Sequence, residues 1–208
     1  MKRVILAGLV VACCPTAVAS RACADIVCPD SSYVTASFTK TYSGSYATGQ
    51  PYDYVTISPD GNGETFAGTG IAIRVYLRNC QNAPIAGIPR ERILLLNPAL
   101  CVCPGGNVAD HDTDANGFTE FSGTIRGGGC VNRLTVSADG VSLGSIPVKI
   151  NSPDEWIGSC YVDSDDVSHM GYVLHPNPYH ICFDFNESGT VDASDLAYLA
   201  WKLGAHCQ

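Results

Sequence analysis

Positive charge is scarce in this chain of 208 residues: twelve Lys and Arg stand against twenty Asp and Glu, a formal net charge of −8. A nucleic-acid backbone is bound through clustered cations, so that class of partner is not expected. Long apolar runs are also missing: nothing after the first dozen residues approaches the roughly 20 that a membrane-spanning helix requires. The sequence has no GxSxG, no HExxH, no lone Cys with a suitable partner, and no carboxylate pair in a recognisable cleft context. An enzyme is therefore not expected.

What is present begins with Lys2 and Arg3 ahead of an apolar run from Val4 to Ala12, too short to span a bilayer. Residues 1–24 read as a secretory leader, with small-x-small cleavage points after Ala19 and after Ala24. Cys13 behind Val10, Val11 and Ala12 offers a poor lipobox, which keeps a lipid-anchored form as the alternative. Secretion, to the medium or the cell surface, is the expectation. Cleavage after Ala24 removes Lys2, Arg3, Arg21 and three of the eleven cysteines. Cys28, Cys80, Cys101, Cys103, Cys130, Cys160, Cys182 and Cys207 remain, an even set that reads as a disulfide framework. The spacing leaves connectivity open; position along the chain suggests one set within 28–130 and another within 160–207. The surplus of carboxylates suits either solubility or a hard cation.

From about residue 30 to 150, β-branched and aromatic residues alternate with polar ones, punctuated by Gly, Pro and Asn. Seven strands are predicted: Tyr33 to Phe38, Tyr54 to Ser58, Ile71 to Leu77, Arg92 to Leu96, Phe118 to Ile125, Arg133 to Ala138 and Ser145 to Ile150. Seven short strands in about 120 residues fit one β-sandwich. Ile71, Ile73, Val75 and Leu77 alternate into a turn at Asn82, Ala83 and Pro84, followed by Ile85-Ala86-Gly87-Ile88-Pro89 and then Thr113-Asp114-Ala115-Asn116-Gly117. Over about residues 65–148 this order resembles the invasin-type bacterial immunoglobulin-like domain, which implies a spacer or binding module without catalysis.

Asn151, Ser152 and Pro153 read as a linker, since Pro removes a ladder donor and Asn and Ser favour turns. Beyond it, residues 184–195 place oxygen-bearing side chains at loop positions 1, 3, 5, 9 and 12, with Gly189 at 6 and Val191 at 8. Calcium takes six to eight oxygens, and so tight a loop needs Gly at its sharp turn. Asp184, Asn186 and Ser188 are the direct ligands expected, Thr190 acts through its carbonyl, Asp192 directly or through water, and Asp195 closes the loop. Leu196, Leu199 and Leu203 follow at helical spacing, Asp192 and Asp195 can form a capping box, and Gly204 ends the helix. Pro176 and Pro178 argue against an incoming helix.

This loop-helix unit, with Asp at position 12, resembles the type I dockerin repeat, departing from its pattern at Ser188. A 29-residue shift aligns Val162, Asp163, Asp166, Val167, Met170 and Leu174 with Val191, Asp192, Asp195, Leu196, Leu199 and Leu203, giving a first, eroded copy over about 155–174. Its candidate ligands are Glu155, Ser159, Asp163 and Asp166; Ile157 and Cys160 replace the position-3 oxygen and the glycine. The resemblance implies calcium as the bound cofactor and a cohesin-like partner. Contacts to that partner would fall on Ala193 and Ser194, and on Ser164 and Asp165 of the first copy. The other reading is a cell-surface structural or adhesive protein whose immunoglobulin-like part binds and whose repeats are a calcium-stabilised stalk. Asp112 to Gly117 also begins like a calcium loop, but Gly123 at position 12 and the lack of a following helix favour an Asn-Gly turn. Cys101-Val102-Cys103 reads as two disulfide halves.

Overall fold

The computed structural model describes residues 26–38, 53–154, 158–174 and 180–208. The expected leader, with Cys13, Cys14 and Cys23, lies outside the described residues, as do Glu155 and Ile157.

The protein is mainly β. One antiparallel sheet runs β1 (Tyr33–Phe38), β3 (Ile71–Tyr76), β6 (Phe118–Phe121), and another β4 (Ile93–Leu96), β8 (Leu134–Ala138), β9 (Val141–Ile146). Two smaller pairs complete it: β2 (Asp53–Thr56) runs parallel to β10 (Val148–Asn151), and β5 (Cys101–Val102) antiparallel to β7 (Gly127–Gly128). Period-two alternation does what it implies in β3, where Ile71, Ile73 and Val75 are buried while Arg74 faces out. These side chains share one core with Ile93 and Leu95 of β4 and Leu134 and Val136 of β8, so the two larger sheets bury a common apolar face.

All seven predicted strands have a counterpart, with shorter ends in most. The expectation of a single strand over Ser145 to Ile150 missed a break: β9 and β10 divide there and join different sheets. β8 and β9 are connected by Asp139 and Gly140, both at positive φ (53° and 78°), the geometry of a tight hairpin turn.

Among the described residues the α-helices lie in the C-terminal quarter: α1 (Ser164–Leu174) and α2 (Ala193–Lys202), with a short 3-10 turn at Ile181–Phe183 between them. A second, smaller core gathers Val162, Met170, Phe183, Phe185 and Leu199. Three expectations are corrected here. Asn151 ends β10 and is fully buried, as is Ser152, and Asp154 is nearly so, so residues 151–154 are packed structure and not a linker. The inward stripe of α2 is Asp195, Leu199 and Lys202, while Leu196 and Leu203 are 37% and 49% exposed; the face is set by the loop carboxylate at Asp195, which must point in. The cysteines do not divide into two sets either. All eight pair, but only Cys28–Cys80 stays within the β-rich part; Cys101–Cys160, Cys103–Cys207 and Cys130–Cys182 all cross to the C-terminal quarter.

Candidate metal centre

The loop 184–195 is built from its first and last carboxylates. Asp184 and Asp195, positions 1 and 12, are both fully buried. Asp184 accepts the Ser188 and Gly189 backbone N–H groups, one on each oxygen, at 2.9 Å. This draws the chain into a turn that Glu187 and Gly189 complete in the left-handed region (φ 57° and 83°). Asp195 accepts from Phe185 N–H at 2.7 Å on one oxygen and from Asp192 N–H at 3.0 Å on the other. Asp192 in turn accepts from Ser194 N–H at 2.8 Å, closing the predicted capping box at the start of α2.

Between these ends the Ser188 hydroxyl donates to the Thr190 carbonyl at 3.0 Å, and Asn186 Oδ1 accepts Ser188 N–H at 3.0 Å. The six residues predicted as ligands are thus gathered in one hydrogen-bonded loop. Each carboxylate or amide oxygen used here has further lone-pair capacity for a cation. Burial pushes the Asp195 carboxyl above its ordinary value of 3.8, against the N–H bonds it accepts, and the neighbouring Asp184 charge pushes it the same way. A divalent ion between two such carboxylates would relieve that cost, so the donor set fits a hard cation.

The loop is seated on the β-rich part. Tyr54 Oη donates to the Asp184 carbonyl, Thr56 Oγ1 to the Phe185 carbonyl at 3.1 Å, and Asn151 Nδ2 to the Asp184 carbonyl at 3.2 Å. The Cys130–Cys182 disulfide holds the chain two residues ahead of Asp184. The three hydrogen-bonding anchors come from β2 and β10, far from the loop in sequence, and no local pattern in the sequence marks them.

The eroded copy keeps the same wiring, with one change. The Ser159 hydroxyl donates to the Tyr161 carbonyl at 2.9 Å, Asp163 N–H to Asp166 at 2.9 Å and Asp165 N–H to Asp163 at 2.8 Å, each bond lying 29 residues before its twin. Glu155 lies outside the described residues, and Asp154 takes the part that Asp184 plays, accepting Ser159 N–H at 2.9 Å and Cys160 N–H at 2.6 Å. The first loop is one residue longer, and the fixed 29-residue shift skipped over its true first carboxylate. Burial raises the Asp154 carboxyl too, in spite of those bonds. Cys160 holds the left-handed conformation (φ 62°) that a glycine holds in the second loop, clamped there by its disulfide to Cys101. Gly128 of β7 makes room for the arrangement, since a Cβ there would lie 1.9 Å from Asp154 Oδ2.

No family model, curated protein or solved structure matches this chain.

The four positions expected to meet a partner, Ala193, Ser194, Ser164 and Asp165, are all exposed at the starts of the two helices. Cys103, Cys160 and Cys207 bring their sulfurs together within 4.8 Å. Cys160 is bonded to Cys101 and Cys103 to Cys207, so these sulfurs form two adjacent disulfides. At Asp112 to Gly117, Asp114 accepts Asn116 and Phe118 N–H groups at 2.8 and 2.9 Å and Gly117 has φ 72°, a turn into β6 as expected.

Proposed function

We propose that this is a secreted, non-catalytic calcium-binding protein whose ion sits in the loop Asp184 to Asp195. The observation that carries the reading is the pair of fully buried carboxylates at positions 1 and 12, the latter with a raised proton affinity, joined by a ring of side-chain and carbonyl oxygens. Asp184, Asn186 and Ser188 supply side-chain oxygens, Thr190 its carbonyl, and Asp192 and Asp195 the remaining carboxylates. The first loop is read as framework: its glycine position is a disulfide-bonded Cys160, so the expected stoichiometry is one calcium per chain.

On this reading residues 25–150 are an immunoglobulin-like β-sandwich and residues 151–208 a dockerin-like module, which offers Ala193, Ser194, Ser164 and Asp165 to a cohesin-like or cell-surface partner. The exposure of those four residues supports it. Calorimetric titration of calcium into the intact chain and into Asp195→Ala tests the ion site; equal heats in both would sink it. A second reading, a calcium-stiffened adhesive protein, is favoured by the three disulfides that join the module to the β-rich part. Calcium-dependent capture of a cohesin module by the intact chain supports docking, and cell-surface retention without such capture supports adhesion.

A further inference from the structure

A buried lysine stands beside one of the four disulfides. Lys149, within β10, is 1% exposed. Its Nζ donates to Cys130 Sγ at 2.6 Å and to Cys182 Sγ at 3.5 Å. The backbone fixes this approach from both sides. Val131 and Ile150 exchange two backbone bonds, at 3.1 and 2.8 Å, which hold the neighbouring Cys130 against β10. Asn151 Nδ2 donates to the Ile181 carbonyl at 3.4 Å and to the Asp184 carbonyl at 3.2 Å, which holds the turn that carries Cys182. The lysine charge is felt in this turn: burial first, and then Lys149, push the His180 imidazole below its ordinary value of 6.5.

A cation beside a sulfur favours the thiolate over the thiol, and a disulfide whose leaving sulfur is a stabilised thiolate exchanges faster. Cys130, the nearer sulfur, is the leaving group that this geometry selects, and Cys182 the sulfur attacked. Both residues are half-buried and so keep some exposure. Cys103, by contrast, is 1% exposed, and its sulfur lies 3.4 Å from the Pro59 carbonyl oxygen, a neighbour that opposes negative charge. Cys80 is exposed, so access alone would favour Cys28–Cys80. The order in which the bonds open therefore separates charge from access.

We propose that Cys130–Cys182 is a thiol-exchange site, opened by a dithiol reductant ahead of the other three disulfides because Lys149 receives the Cys130 thiolate. One thiolate of the reductant attacks Cys182 Sγ, and the S–S electron pair leaves on Cys130 beside the Lys149 ammonium. The second thiol of the reductant loses its proton and attacks the reductant's own sulfur in the mixed disulfide. That closes a cyclic disulfide and releases Cys182 as a thiolate. Two electrons pass to the protein, and the dithiol is oxidised. Cys182 lies two residues before Asp184, so opening the bond frees the chain that leads into the calcium loop. The site is thereby a redox switch on calcium binding, a consequence that rests on the calcium reading; the exchange chemistry does not.

Graded dithiothreitol on the intact, oxidised protein, quenched with iodoacetamide and read by peptide mass spectrometry, tests the site. Cys130 and Cys182 are expected to be labelled first. Lys149→Met, which keeps much of the side-chain volume without the charge, is expected to open this pair at least about threefold more slowly. Circular dichroism of the oxidised variant checks its fold, and the wild-type order stands without it. Calorimetry before and after selective opening is expected to show calcium bound several-fold more weakly. Earlier opening of any other disulfide in the wild type, or an unchanged rate in folded Lys149→Met, overturns the exchange site. Equal calcium affinity in the two states overturns the switch. A wild type that binds no calcium in either state removes the calcium reading instead, and the labelling order still decides the exchange site.

Discussion

Asp195 carries two duties at once. It caps the first turn of α2 and the start of the loop, and it is the proposed closing calcium ligand. Asp195→Ala leaves the buried N–H of Phe185 and the partly buried N–H of Asp192 without their acceptor, so in chelator it should lose about 1–3 kcal/mol, read from chemical denaturation. The proton affinity of this group gives a second prediction. Its folded-state pKa is raised from 3.8, so protonation favours the folded chain. The stabilisation is complete below the ordinary carboxylate value and is lost as pH rises through the raised one. Calcium needs the ionised form, so its affinity should fall as pH drops through that same window. Asp195→Asn should remove the corresponding part of the pH dependence of the chelated protein; an unchanged profile would show that the burial of this carboxylate has no thermodynamic weight. Gly189→Ala forces a Cβ into φ 83° and should cost about 1–2 kcal/mol. The equivalent Cys160 holds that conformation with a covalent bond to Cys101 in place of a glycine's freedom.

At the scale of elements, local patterns were legible and their seating was not. The spacing of Asp184 to Asp195 and the capping residues predicted the loop and α2, because both are fixed by residues a few positions apart. The face of α2 was misread, since hydrophobic period alone chose Leu196 and Leu203, whereas the loop carboxylate turns Asp195 and Lys202 inward. Likewise Asp154 was missed because a single inserted residue shifts the first loop out of the 29-residue register that every later bond obeys. The buried Lys202 links α2 to the Asp60 turn, and removing one partner of such a pair strands the other. Asp60 is 21% exposed and keeps its bonds from Asn62, so Lys202→Ala should destabilise the intact chain by about 1–3 kcal/mol, measured by thermal unfolding. Tyr54→Phe, which takes a donor from the Asp184 carbonyl, should weaken calcium binding several-fold while leaving the β-rich core intact.

In the whole molecule, the sequence reads as two units in series and the structure joins them. Strand patterning gave the mainly β class, because alternation reports burial directly; disulfide pairing is long-range and leaves no local signal. Cys103–Cys207 closes a loop of 104 residues, and replacing both cysteines by Ser should cost about 3–4 kcal/mol. Tyr54, Thr56, Asn151 and three half-cystines come from outside residues 152–208, so that fragment alone should bind calcium far more weakly than the intact chain. Calcium at a hundred times its dissociation constant should stabilise the intact chain by about 2.7 kcal/mol, a rise of about 5–10 °C in unfolding temperature. The most direct test is isothermal calorimetry of calcium with the intact, oxidised protein beside Asp195→Ala. One ion bound per wild-type chain, and none by the variant, is the result predicted here. Absence of binding to the wild type, or an undiminished heat in the variant, would contradict it.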